Sequence, residues 1–139
     1  MNTIIRKIIE NKIRELEALS AVTPLGVLKE RVSVRKLRSP SFLTAVVRAG
    51  TLSFVKEIKR ASIVRGLLVH DYNPLAIAKK AYTEGAHAIS VCTERAYHMG
   101  ADADVTFIRD NIFIPVMYRD YIIDKYQLYH ARCLGAAAA

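Results

Sequence analysis

At 139 residues with 52% hydrophobic content, the chain suits one domain with a packed core, and 24% charged residues with only 6 Gly and 4 Pro argue against disorder. The formal net charge of +8 suits an anionic partner, either a phosphorylated metabolite or an acidic surface, and serves plain solubility equally well. The basic residues are scattered, with no arginine-rich tail or RNA-binding aromatic motif, so nucleic acid is not the expected partner.

Residues 3–19 place Ile4, Ile5, Ile8, Ile9, Ile13 and Leu16 at helical spacing, with Arg6, Lys7, Glu10, Lys12 and Glu15 opposite, which predicts an amphipathic helix. Thr23-Pro24 reads as an N-cap and first helical position, opening a second helix through about Arg31. Ser39-Pro40 repeats the signature before Phe42–Arg48, and Gly50 closes that helix. Residues 1–50 therefore read as a helical preface.

From there the period changes. Leu52–Ile58 predicts a strand, Asn73-Pro74 starts a helix stopped by Gly85, and Ala88–Cys92 predicts a second strand. A helix is expected over Asp102–Asn111 with Val105, Phe107 and Ile108 as its apolar face. Ile114–Tyr118 makes a third strand, with proline early, where it is tolerated. Asp124 caps a last helix carrying Tyr126, Leu128, Tyr129 and Cys133 and ended by Gly135. Alternating strands and helices predict a parallel sheet with right-handed crossovers over residues 51–139.

Glu57 and Lys59 stand two apart on the first strand, so both project to one side at its carboxyl end, where parallel α/β folds bind ligands. A structural ion pair and a functional site both explain that pairing. Lys56 falls on the opposite face and reads as a snorkelling side chain. Cys92 and Cys133 read as free thiols in a reducing compartment. The four histidines lack metal-ligand spacing, so no metal site is expected. Neither a signal peptide nor a membrane-spanning run is present, which makes a cytoplasmic protein the expectation.

Four blocks carry a resemblance. Glu57-Ile58-Lys59-Arg60-Ala61-Ser62 with Gly66, then Asp71-Tyr72-Asn73-Pro74 with Ala78–Gly85, then Ala88-Ile89-Ser90-Val91 with Thr93, and finally Pro115–Asp124 with Tyr126-Gln127 resemble indole-3-glycerol phosphate synthase, in that family's order and spacing. The resemblance implies an α/β fold of the (β/α)8 TIM-barrel type, of which this chain carries the N-terminal helical extension and about three βα units. It implies a phosphorylated anionic substrate, a carboxyphenylamino-deoxyribulose phosphate, closed to an indole with loss of carbon dioxide and water in tryptophan biosynthesis. No metal or organic cofactor is implied. Lys59 would neutralise the substrate carboxylate and assist proton transfer, and Glu57 would orient Lys59 and the anilino nitrogen. Ser62 and Tyr97 would contact substrate, Tyr97 by stacking on the aromatic ring.

Three departures stand out. Arg119 occupies the place of the family's general-acid lysine; arginine keeps the charge and grips carboxylates but scarcely releases a proton near neutrality. The usual Ser-Pro-Ser-Lys segment reads Ser62-Ile63-Val64-Arg65, and the aromatic-Gly-Ser turn reads Tyr97-His98-Met99-Gly100-Ala101. Barrels of this class run to roughly 250 residues. Gly135–Ala139 stands where a fourth strand is expected, so the fourth-strand carboxylate and the late phosphate loops are not in this sequence. The chain alone is not expected to complete the reaction. The alternative is a non-catalytic half-barrel, with an edge and an apolar face left open for self-association or a complementing chain.

Overall fold

The computed structural model describes residues 3–34, 40–48 and 50–139. Three helices come first: α1 (Thr3–Val22), α2 (Leu25–Val34) and the short α3 (Phe42–Val46). The cap of α3 is Ser41, whose hydroxyl accepts from the Thr44 amide; the expected cap Ser39 lies outside the described residues. The helix also stops at Val46, short of Arg48.

A parallel sheet follows in the order β1 (Val55–Ile58), β4 (Ala88–Cys92), β5 (Val116–Arg119). Between β1 and α4 the chain makes a two-stranded hairpin, β2 (Ala61–Ser62) and β3 (Gly66–Leu67). Helices α4 (Pro74–Thr83), α5 (Asp102–Asn111) and α6 (Lys125–Leu134) provide the crossovers. Asn73 caps α4 through the Ala76 amide. Asp124 and Gln127 form a reciprocal capping box on α6, and Gly135 ends that helix at φ +88°, a left-handed conformation that glycine adopts freely.

The pairing register separates two faces. Ile58, Val91 and Tyr118 share one, and with Ile89 and Val116 they are buried against Ala78, Ala81, Val105, Ile108 and Ala131 of the three helices. This outer, helix-covered face is the core. Phe107 and Leu128 were expected on it and are instead about half exposed, because Val105, Ile108 and Ala131 fill the contact first. The inner face carries Glu57, then Ser90 and Cys92, then Met117 and Arg119.

Two expectations about the sheet change. Its β5 edge is occupied: the Tyr118 amide donates to the Ala138 carbonyl at 2.8 Å, and the Ala137 amide to the Val116 carbonyl at 2.8 Å, in a parallel bridge. The inner face is not uniformly open either, since Ala88, Ser90 and Cys92 on the central strand are all buried. Exposure falls on β1, where Val55 and Glu57 both face solvent.

The preface is anchored to this unit. Tyr126 donates through its hydroxyl to the Thr23 carbonyl at 3.0 Å, Leu28 is buried, and Lys29 lies over the Tyr129 ring. Lys12, placed by periodicity on the polar face of α1, is buried at 2% exposure. Its ammonium donates to Asp120 and to Glu15, each at 2.7 Å. No described helix is long and apolar enough to cross a membrane.

Candidate functional site

Strand alternation brings charge together at the carboxyl end of the sheet. Glu57 lies on β1 beside Ser90 of β4, and Cys92 lies beside Arg119 of β5. The Glu57 carboxylate bridges two cations, with Lys59 Nζ 3.5 Å from one oxygen and an Arg119 guanidinium nitrogen 2.5 Å from the other. Glu57 and Arg119 are about 40–46% exposed at their side chains, and Lys59 is 22% exposed. Three of the five residues singled out in the sequence thus form one cluster.

The other two are placed differently. Ser62 Oγ accepts from the Arg65 amide at 2.9 Å, so its hydroxyl closes the β2–β3 turn. Tyr97 is half-buried in the loop after β4, its amide donating to Glu94.

That loop is built around a carboxylate the sequence reading passed over. Glu94 is 3% exposed and accepts from the amides of Ala96, Tyr97 and His98 and pairs with the His98 ring, each at 2.9 Å. Burial works against its charge, but those four partners outweigh it and hold Glu94 below the usual carboxylate range. The loop folds back tightly at Gly100, where a Cβ would come within 2.7 Å of the Thr93 backbone. Its one signal in the sequence is a glycine, Gly100, six residues after Glu94.

A cavity of about 110 Å³ opens beside the cluster, lined by Cys92, Glu94, His98, Arg119, Asp120 and Tyr121. Burial pushes the Cys92 thiol up, keeping it protonated and apolar in character. Ser90 Oγ, one layer below, is buried without a hydrogen-bond partner. Alternation along β4 puts Ser90 and Cys92 on the Glu57 face, a reading available from the strand alone.

Opposite Arg119, on the outer face, Asp120 accepts from Lys12 at 2.7 Å, from the Tyr118 hydroxyl at 3.1 Å and from the Tyr121 amide at 2.7 Å. Burial disfavours the Lys12 charge, yet its bonds to Asp120 and Glu15 raise its pKa overall. A half-buried carboxylate, Asp102, binds His130 at 3.0 Å and Arg95 at 2.8 Å; those partners overcome its partial desolvation and hold it below the usual aspartate range. Among the described residues no cluster of three or more His, Cys, Asp or Glu could hold a metal ion.

A parallel sheet backed by helices, with a charged cluster at the carboxyl ends of its strands, is how βα-barrel proteins build their sites. The chain matches the family model of indole-3-glycerol phosphate synthase over residues 5–139. It is 38% identical over 141 residues to a protein of that name from Chloroherpeton thalassium, and 34% identical over 138 and 137 residues to those from Laribacter hongkongensis and Trichodesmium erythraeum. These alignments take in 97–98% of this chain and 46–53% of the relatives. The chain belongs to the indole-3-glycerol phosphate synthase family, and it spans about half the length of the curated relatives it matches.

Proposed function

We propose that the chain is the N-terminal portion of an indole-3-glycerol phosphate synthase: a helical extension over residues 1–50 and the first three βα units of a (β/α)8 barrel over residues 51–139. The reaction is ring closure of the carboxyphenylamino-deoxyribulose phosphate with loss of carbon dioxide and water. One observation carries this reading beyond family membership. Lys59, Glu57 and Arg119 meet at the strand ends beside a cavity, although they come from strands β1 and β5.

Lys59 neutralises the substrate carboxylate, and Glu57 orients Lys59 and the anilino nitrogen. Arg119 grips an anionic group in its planar fork, while proton delivery from that position is weak because a guanidinium holds its proton. Ser62 and Tyr97 contact substrate in this scheme. Ser62 would do so with its remaining hydroxyl capacity, since its lone pair already holds the Arg65 amide. The fourth-strand carboxylate and the phosphate loops come from beyond these residues.

Arg119→Lys in the full-length protein tests the assignment. Restoring a titratable acid raises turnover by about a hundredfold. Unchanged turnover removes the acid from that position.

The Arg119–Glu57 pair also favours a second reading, a non-catalytic partial barrel that self-associates through its open sheet, because each charge already has a partner within the chain. Sedimentation decides against it if the protein remains monomeric at micromolar concentration and turns over substrate.

A further inference from the structure

The buried ion pair between the first helix and the exit of β5 has no part in the chemistry above. Lys12 and Asp120 are 3% and 2% exposed at their side chains, 108 residues apart, and meet at 2.7 Å. A fully buried ion pair contributes little net stability compared with a well-packed apolar pair of the same size. What it adds is position: with water excluded, it is satisfied only while the ammonium and the carboxylate stay within hydrogen-bond reach.

Asp120 is where that constraint acts. Its carboxylate binds Lys12, the Tyr118 hydroxyl and the Tyr121 amide, which ties the residues on both sides of Arg119 to one carboxylate. The Arg119 carbonyl is itself held by the Thr93 amide at 2.9 Å and the Thr93 hydroxyl at 3.2 Å. Asp120 follows the last residue of β5, and its carboxylate is held on the side of Tyr118, whose hydroxyl it accepts, so fixing it there aims Arg119 the other way, toward Glu57. Tyr121, tied by its amide to Asp120, lines the cavity beside Arg119.

We propose that Lys12 is a positioning residue: from the N-terminal helix, through Asp120, it sets the orientation of Arg119 and Tyr121 at the cavity. This deepens the functional reading above and rests on it for its purpose, though not for its test.

The experiment compares the full-length protein with Lys12→Met/Asp120→Asn and with Lys12→Arg. The double variant replaces two charges with neutral groups of similar size, and Asn keeps the Oδ1 acceptor for the Tyr121 amide while its NH2 group can donate to the Tyr118 hydroxyl oxygen. If the double variant does not fold, Lys12→Gln/Asp120→Asn, which keeps a neutral polar pair at the contact, carries the comparison. The first readout needs no ligand: rotation about the Arg119 Nε–Cζ bond, followed by nitrogen NMR, is slowed by the contact with Glu57. That rotation quickens about threefold in the double variant as the half-exposed contact loosens, while Lys12→Arg keeps the wild-type rate. Equal rates in the double variant and the wild type overturn the proposal, as does a Lys12→Arg variant that rotates as fast as the double one. The second readout is affinity for the ribitol analogue of the substrate, whose reduced carbonyl cannot cyclise, expected to fall about tenfold in the double variant. A wild-type protein that does not bind the analogue sinks the functional reading, and the rotation rates still decide the role of Lys12.

Discussion

Arg119 ends β5 and Asp120 follows it, and the two neighbours live in opposite electrostatic worlds. Arg119 projects inward to Glu57, with both side chains 39–46% exposed. Asp120 projects outward to Lys12, with both side chains at 2–3%. Water screens the first pair, leaving its charges available to a ligand at little loss, because exposed pairs stabilise by at most about 1 kcal/mol. The second pair is desolvated, and the loss of either group leaves the other's buried charge only partly compensated. The lesson is that proximity of opposite charges does not identify a site; exposure does. The weakly committed cluster is the one suited to binding, and the strongly committed one is suited to holding it in place.

Removing one partner of the buried pair has the largest effect. Asp120→Ala leaves the buried Lys12 ammonium with Glu15 alone and lowers stability by about 3 kcal/mol, read from a urea titration. A loss under 1 kcal/mol would mean that water reaches Lys12 and that the two pairs differ less than their exposure indicates.

The acceptors Glu94, buried, and Asp102, half-buried, sharpen the contrast through pH. Both carboxylates are held below the ordinary range of their residue types, so the folded state binds protons more weakly than the unfolded chain. Their stabilisation is complete above the unfolded values and is lost as pH falls through the lower folded ones. The melting temperature therefore drops steeply below about pH 4. Glu94→Gln removes part of that slope and about 1–3 kcal/mol at pH 7, since it weakens four buried bonds. An identical acid limb in Glu94→Gln and wild type would show that Glu94 takes no part in it.

Glu57→Gln gives the smallest change in stability, within about 0.5 kcal/mol by thermal melting. Its consequence falls on the site, because Lys59 and Arg119 lose the carboxylate that holds them together. A Glu57→Gln protein destabilised as strongly as Asp120→Ala would make the inner cluster structural.

Much of the fold could be read from local chemistry. Strand β4 and helix α5 begin and end where the sequence pattern puts them, and Asn73, Asp124 and Gly135 punctuate helices as their residue types predict. Period and capping act over a few residues, so they survive in any context. Alternation alone also put Glu57 with Lys59. The β2–β3 hairpin was not legible, since strands of two residues show no period. Lys12 was misplaced for another reason. Its helical position is polar by spacing, and only a carboxylate 108 residues away makes burial tolerable. Ser62 was legible as a polar residue after the first strand, but its hydroxyl's bond to Arg65 depends on the turn that the missing proline would have shaped otherwise.

One hydrogen bond reaches across the rim. The Ala61 amide, at the start of the hairpin after β1, donates to the His98 carbonyl in the loop after β4 at 3.0 Å. The hairpin is thereby spliced to the very turn that Glu94 staples from beneath, so the chain segments leaving two neighbouring strands share one backbone seam.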